Sequence, residues 1–113
     1  METKDTPAVV MQEKVKANFD NYLFRTYSAK WATEFNRMPF YFRSGVITDY
    51  LRGKGIEAYA LPVADKKYWA ITEFYNAEGD FVQFDKVCDD HDTALISAIN
   101  EGLRIVEEQL KDK

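Results

Sequence analysis

The densest group of side chains that could do chemistry is the acidic run Asp89, Asp90, His91 and Asp92, which follows the single cysteine, Cys88. Carboxylates and imidazole are ligands for divalent metals. Consecutive residues rarely point at one centre, however, and the glycine and distal glutamate of an EF-hand loop are missing. We therefore expect no metal site, and we interpret the run as a helix start at which Asp90 or Asp92 caps the first turn.

Nucleophilic catalysis would require Cys88 or a serine beside His91, the only histidine. No signature of a reactive thiol surrounds Cys88, and a lone cysteine of this kind is more often a buried structural thiol. The segment 53–55, Gly-Lys-Gly, lacks the flanking pattern of a phosphate-binding loop. The carboxylates Glu107 and Glu108 fall on the polar side of a predicted helix. The sequence thus predicts neither an enzyme nor a bound cofactor.

The most unusual composition lies between residues 19 and 43, where nine of the 17 aromatic residues occur with three Arg and one Lys among them. Aromatic residues and Arg are enriched at protein interfaces, whereas Lys is depleted. We therefore predict a non-catalytic interaction module that self-associates, as a homodimer, through this N-terminal third. The candidate interface rings are Phe19, Tyr22, Phe24, Tyr27, Trp31, Phe35, Phe40 and Phe42.

An alternative use of the same window is nucleic-acid binding, because rings interleaved with cations can stack on bases and contact phosphates. The candidate contacts are Arg25, Lys30, Arg37 and Arg43. Residues 1–54 carry nine positive and six negative side chains, and residues 55–113 carry six and thirteen. This asymmetry has two readings. The first half could carry a basic binding face, or the two oppositely charged halves could pack on each other or pair head to tail between copies. The acidic second half makes nucleic acid the less favoured partner.

A chain of 113 residues is the length of one domain. The single cysteine excludes an intramolecular disulfide, the first residues lack the features of a signal peptide, and no apolar run approaches the ~20 residues that span a bilayer. We expect a soluble cytoplasmic protein with no membrane partner.

The elements that must position these residues begin with the last helix, predicted from Asp92 to Leu110. Apolar residues recur there at helical spacing and form one stripe. The stripe contains Leu95, Ala98, Ile99, Gly102, Leu103, Val106 and Leu110. The alternating residues from Ile56 to Cys88 predict the surface that buries it, a small antiparallel sheet. Gly102 would let the helix backbone come close to that sheet.

The remaining pattern predicts a loose segment 1–7 with Pro7 in a first helical turn, then helical residues from Ala8 to about Phe35 as one helix or two. We predict that Phe40–Phe42 forms either a linker that packs on the domain through its rings or a short edge strand. Ser44 then caps a helix over 45–52. Three strands follow at 56–63, 68–75 and about 80–87, and Pro62 requires the first to be an edge strand or to end there.

These elements predict an α+β fold of two layers, in which a three-stranded antiparallel meander is packed by helices in the order α-β-β-β-α, with an N-terminal helical extension. We expect an aromatic-rich extension over residues 1–42 and the domain proper over 43–113. Glu73 and Gln83 should lie on the other sheet face, beside Trp69, Tyr75 and Phe81. We expect the N-terminal segment or a second copy of the chain to cover these rings.

From Ser44 to Leu110 the order of elements resembles the double-stranded-RNA-binding domain. In that family lysines at the start of the last helix hold phosphates. This chain has the acidic run 89–92 there, so no binding residue is carried over. The segments YLRGKGI at 50–56, DTAL at 92–95 and AINEGL at 98–103 resemble short uncharacterised proteins of phages, prophages and gut bacteria. That resemblance implies a helix, a hairpin and an Ala-rich acidic helix, and no activity.

Overall fold

The computed structural model describes residues 8–111, so the predictions for segment 1–7 and Pro7 lie outside the described residues. The described chain contains four α-helices, one 3-10 turn and three strands. Their bounds are α1 Glu13–Thr26, α2 Ala29–Glu34, the 3-10 turn Phe35–Arg37, α3 Phe40–Gly53, β1 Ile56–Ala64, β2 Lys67–Tyr75, β3 Phe81–Cys88 and α4 His91–Lys111. The strands form one antiparallel sheet in the order β1-β2-β3. The predicted α+β class, the meander and the α-β-β-β-α order are confirmed.

The helices lie on one face of the sheet. α3 and α4 pack on the strands and on each other, whereas α1 packs mainly on α2 and α4. The Cα trace measures 41 × 40 × 20 Å, and its short dimension is that of one sheet with one layer of helices. The inner face, which the helices cover, carries the buried residues Ile56, Ala58, Ala70, Thr72 and Cys88.

β1 is an edge strand, as Pro62 requires, and its register with β2 shifts between Pro62 and Ala64. A proline at an edge leaves no ladder bond unmade. The turn from β2 to β3 uses Gly79 at a φ of 86°, a left-handed conformation that glycine adopts without steric cost. Short turns of this kind make the meander the simplest path between consecutive strands.

The start of α4 is capped by Asp90, as predicted. Asp90 Oδ1 accepts a hydrogen bond from the Thr93 amide at 2.8 Å, and the Ala94 amide donates to the Asp90 carbonyl oxygen at 3.1 Å. The carboxylate also stands at the positive end of the helix dipole. The acidic run therefore begins a helix in the way its sequence indicates.

The buried face of α4 is wider than the predicted stripe. Ile96 and Ile105 are buried, while Leu95 and Leu110 at the ends of the stripe are only half-buried. The extra width arises because α4 contacts α3 and α1 as well as the sheet. A helix with neighbours on three sides needs more than one row of apolar residues.

Gly102 is the point of closest approach between α4 and its neighbours. A Cβ added there would lie 2.8 Å from Leu51 Cδ1 of α3 and 3.4 Å from Ile56 Cγ2 of β1. Both distances involve fully buried side chains. The glycine that the sequence placed on the apolar stripe thus allows α4 to contact α3 and the sheet together, not the sheet alone.

The N-terminal helical region begins later than predicted. α1 begins at Glu13 and not at Ala8. The stretch from Ala8 to Val10 is held by Asn100, which accepts from the Val10 amide at 2.8 Å and donates to the Ala8 carbonyl oxygen at 2.9 Å. The question of one helix or two is settled by a break after Thr26.

α2 is short, and its first turn is capped by Ser28, whose Oγ accepts from the Trp31 amide at 3.2 Å. Thr26 ends α1 and does not begin the second helix. Serine is among the residues most favoured at a helix N-cap, because its hydroxyl can accept from a free backbone amide of the first turn.

The prediction of a linker or edge strand at Phe40–Phe42 was wrong. These residues form the first turn of α3, in which the amides of Phe42 and Arg43 donate to the Pro39 carbonyl oxygen. Proline is well suited to a helix start, since the amide hydrogen it lacks is not needed there. Ser44 consequently caps nothing; it is buried, and its Oγ donates to the Tyr41 carbonyl oxygen at 3.0 Å.

A single core joins the N-terminal helices to the rest of the chain. Val15, Phe19 and Leu23 of α1 belong to the same buried cluster as Tyr50 and Val106. The expected division between residues 42 and 43 falls inside α3, and the core takes side chains from both sides of it.

Truncating the α4 stripe should destabilise the fold strongly. Leu103 is 2% exposed, so we expect Leu103→Ala to lower the free energy of unfolding by about 2–5 kcal/mol through lost burial and a residual cavity. Urea denaturation followed by circular dichroism measures this change. The neighbouring Arg104→Ala, on the exposed side of the same turn, should change it by no more than about 0.5 kcal/mol. Equal effects at the two positions would contradict the assigned orientation of α4.

Candidate functional site

Three rings of the N-terminal third form a continuous row, which we call the aromatic row: the partly exposed Tyr27 and Phe42 and, between them, the half-buried Trp31. Tyr27 and Trp31 stack with ring centroids 4.2 Å apart and an interplanar angle of 12°, and Trp31 lies 5.2 Å from Phe42. The three rings come from the end of α1, from α2 and from the start of α3. Their mutual contacts hold them in place on the surface, where Tyr27 and Phe42 remain partly exposed.

The other predicted interface rings divide by burial. Phe19 and Phe35 are 2% and 6% exposed and contact each other in the core at 5.2 Å. Tyr22 and Phe40 are half-buried, and Phe24 is 59% exposed. We therefore leave Phe19 and Phe35 out of the candidate contact surface, because a partner could reach them only if the core opened. Tyr41, which was not among the candidates, is exposed beside Phe42.

Three of the four predicted cations have no ion pair among residues 8–111: Arg25, Lys30 and Arg37 are exposed, and the described salt bridges involve other residues. Arg43 differs, because its Nε donates to the Met38 carbonyl oxygen at 2.8 Å and its side chain is half-buried. Glu34 is the only acidic residue between positions 24 and 43. The segment that carries the aromatic row is therefore basic in composition.

A buried aromatic cluster supports this surface from below. Tyr50 is 1% exposed and its hydroxyl donates to Asn18 Oδ1 at 2.6 Å, while its ring packs on Phe19 and Tyr22 at about 5 Å. Burial raises the pKa of Tyr50 to about 12. Burial, reinforced by the neighbouring Tyr27, also raises the pKa of Tyr22 to about 12.

A second exposed surface is the outer face of the sheet, which we call the open sheet face. Its cross-strand rows are Leu61, Trp69 and Val87; Tyr59, Ile71 and Asp85; Glu57, Glu73 and Gln83; and Tyr75 with Phe81. Tyr75 is 70% and Phe81 54% exposed, and their rings meet at 5.5 Å. The predicted placement of Glu73 and Gln83 beside Trp69, Tyr75 and Phe81 is confirmed. The principal contacts of the described helices with the sheet are on its other side, so the expected cover by the N-terminal segment is not seen among residues 8–111.

Polar groups on the open sheet face are mostly acidic. Gln83 Nε2 donates to Glu73 Oε2 at 3.1 Å, and burial, reinforced by the neighbouring Glu73 carboxylate, raises the pKa of Tyr59. Glu57 is paired with Arg52 at 3.1 Å. Asp85 and Glu73 have no cationic partner within the part of the chain that the structure describes.

The residues that could have carried catalysis have separate partners. Cys88 is buried with its sulfur 4.0 Å from Ser97 Oγ, whereas His91 is exposed, packs edge-on against Tyr68 and lies 3.3 Å from Asp92. Among residues 8–111, no group of three or more His, Cys, Asp or Glu side chains is arranged to hold a metal ion.

One cleft with a polar lining, of about 350 Å³, lies where α1 and α3 end, with Arg25 and Lys54 among its walls. Both helices present their last carbonyl oxygens at this end, and cations there stabilise the negative ends of the helix dipoles.

None of the described helices has the length and apolar character needed to cross a membrane. Comparisons with models of protein families, with curated proteins and with solved structures found no match to this chain. The two resemblances noted from the sequence therefore stay predictions.

Some contributors to these surfaces escaped the sequence reasoning. Asn100 was placed on the polar side of α4, yet it holds the N-terminal segment through both amide atoms. Its pairing partner is 90 residues away, and no local pattern signals it. Leu61 and Val87 were recognisable, since both share the alternation phase of Trp69 in adjacent strands.

The raised tyrosine pKa values predict a loss of stability at high pH. Tyr22 and Tyr50 keep their protons up to about pH 12 in the folded chain, whereas in the unfolded chain they ionise near the usual value of 10.0. The folded state then binds more protons, so stability is unaffected below pH 10 and falls as the pH rises from 10 towards 12.

Chemical denaturation at a series of pH values measures this loss. Tyr50→Phe should cost about 1 kcal/mol at neutral pH, through the hydrogen bond to Asn18, and should flatten the decline above pH 10. The exposed Tyr75→Phe serves as control and should leave the decline unchanged. An equally steep decline in Tyr50→Phe and in the unaltered chain would contradict the assigned role of burial.

Proposed function

We propose that this protein is a non-catalytic protein-interaction module that self-associates through the exposed rings of its N-terminal third. The observation that carries the proposal is the aromatic row, in which three helices place Tyr27, Trp31 and Phe42 in mutual contact at the surface. The proposal retains the cytoplasmic location expected from the single cysteine.

The aromatic row has the features of an interface centre. Trp and Tyr are the residues most enriched at energetically dominant contact positions, together with Arg. The stacking of Tyr27 on Trp31 fixes both rings in advance, so less side-chain freedom is lost when a partner binds. Phe24 and Tyr41, which are exposed on α1 and α3, extend the apolar area.

The size of the molecule sets the concentration at which association should be sought. A stable interface covers about a tenth of a small protein's surface on each partner. The described chain exposes 7359 Å² in all, and the aromatic row with its neighbours is a small part of that area. We therefore expect association at micromolar concentrations rather than nanomolar ones.

Sedimentation equilibrium over a range of concentrations tests the proposal. Trp31→Ser should raise the dissociation constant by at least about tenfold, since it removes the central ring of the row. Val10→Ser is the control, because Val10 is exposed outside the row and its backbone hydrogen bond is unaffected. Circular dichroism establishes that both variants fold. A strictly monomeric unaltered chain at high micromolar concentration would remove the proposal.

A second candidate function is nucleic-acid binding through the same surface. The specific observation in its favour is that Arg25, Lys30 and Arg37 have no ion pair among the described residues and occur in the same window as the exposed rings. Rings and cations together bind single strands in a salt-dependent way.

A gel-shift titration with single-stranded and double-stranded nucleic acid at low salt separates the two candidates. We expect no shift, because only three cations are available and the rest of the chain is acidic. A shift that disappears as salt is raised, and that weakens in Lys30→Ala but not in Lys14→Ala, would replace the first candidate by the second.

A further inference from the structure

The two exposed apolar surfaces carry opposite charge. The segment 24–43, which contains the aromatic row, has four basic residues and one acidic residue. The open sheet face has Glu73 and Asp85 without cationic partners among residues 8–111, and Glu57 is already paired with Arg52. The segment that carries the aromatic row is thus net basic, whereas the open sheet face presents unpaired carboxylates among residues 8–111.

Contacts between like surfaces are disfavoured by these charges. Two open sheet faces packed on each other would bring both sets of Glu73 and Asp85 into one poorly hydrated interface, and like charges placed together there oppose association. Two aromatic rows packed on each other would likewise bring both sets of Arg25, Lys30 and Arg37 into one interface, where these like charges oppose association. The unlike combination places these cations against the carboxylates and the rings against apolar residues.

We propose that the aromatic row of one copy docks on the open sheet face of another copy. The inference rests on the proposed self-association and names the surface that receives the row. Leu61, Trp69 and Val87 supply the apolar floor, and Asp85 and Glu73 lie across from the basic residues of the incoming helices.

The same geometry decides how far assembly proceeds. The aromatic row belongs to α1, α2 and α3, which lie on the helical side of the sheet, so it does not share a surface with the outer side of the sheet. A contact between unlike surfaces leaves one row and one open face unused at the ends of each pair. Such contacts add further copies unless a ring closes, so the mean mass should rise beyond that of a dimer as concentration increases.

The area of the face predicts modest affinity. Three strands of eight or nine residues make a face about 30 Å long and about 14 Å wide. This footprint is below that of a standard stable interface, which covers about 800 Å² on each partner. Measurements at micromolar to high micromolar concentrations are therefore appropriate.

Charge reversal on each surface separately provides the test. One double variant, Arg25→Glu with Lys30→Glu, makes the row surface acidic. The other, Asp85→Lys with Val87→Lys, makes the open sheet face basic; both of these positions are exposed on β3. Lys14→Glu on α1 and Glu108→Lys on α4 are controls, since they change charge at exposed positions outside the two surfaces. Circular dichroism establishes that every variant keeps the fold.

Sedimentation velocity should show each double variant alone as a monomer and both controls associating like the unaltered chain. An equimolar mixture of the two double variants should associate again, because each then offers the other an oppositely charged surface. Association of the β3 double variant by itself would overturn the inference while leaving self-association through the row in place. A mixture that stays monomeric would also overturn it. Absence of association in the unaltered chain would remove the proposed function itself.

Discussion

The burial of α4 against a three-stranded sheet is the interaction on which the rest of the structure depends. Gly102 brings the helix into contact with Leu51 and Ile56, and the fully buried Thr72 donates its hydroxyl to the Ala98 carbonyl oxygen at 2.8 Å. α3 and α1 pack beside α4 and complete the core. Because the helices are gathered on this one face, the described chain has no helix left to cover the other face of the sheet.

This one-sided arrangement explains why so much apolar surface remains exposed. Ile71 lies on the open sheet face, between Tyr59 and Asp85 in the register, and is only 4% exposed. The larger rings around it are less covered within residues 8–111. Exposed apolar residues gathered into a patch usually mark an interaction site, whereas scattered ones do not. The rings of the N-terminal helices form a second patch, and the opposite charges of the two patches suit them to each other.

Much of the fold could be predicted from the sequence, and the failures have physical causes. The α4 stripe, the Asp90 cap and the extent of β2 follow from local patterns, and each appears where it was expected. The prediction of a linker or strand at Phe40–Phe42 rested on the short length of this segment between Pro39 and Ser44-Gly45, but the helix that starts after Pro39 continues through both residues to Gly53. Phe19 lies at helical spacing from the buried Val15 and Leu23, whereas Phe24 does not, so the spacing within α1 separates the buried ring from the exposed one. The Asn100 contact joins distant parts of the chain, which no local pattern encodes.

The two tryptophans allow a direct test of the central claim, since Trp31 belongs to the aromatic row and Trp69 to the open sheet face. Single-tryptophan proteins, made by Trp69→Phe or Trp31→Phe, report on one surface each through acrylamide quenching of fluorescence. The account predicts that both tryptophans are readily quenched in dilute solution and become protected over the same range of rising concentration. The account would be contradicted if the quenching of both tryptophans did not change with protein concentration. It would also be contradicted if Trp31 became protected while Trp69 stayed fully accessible.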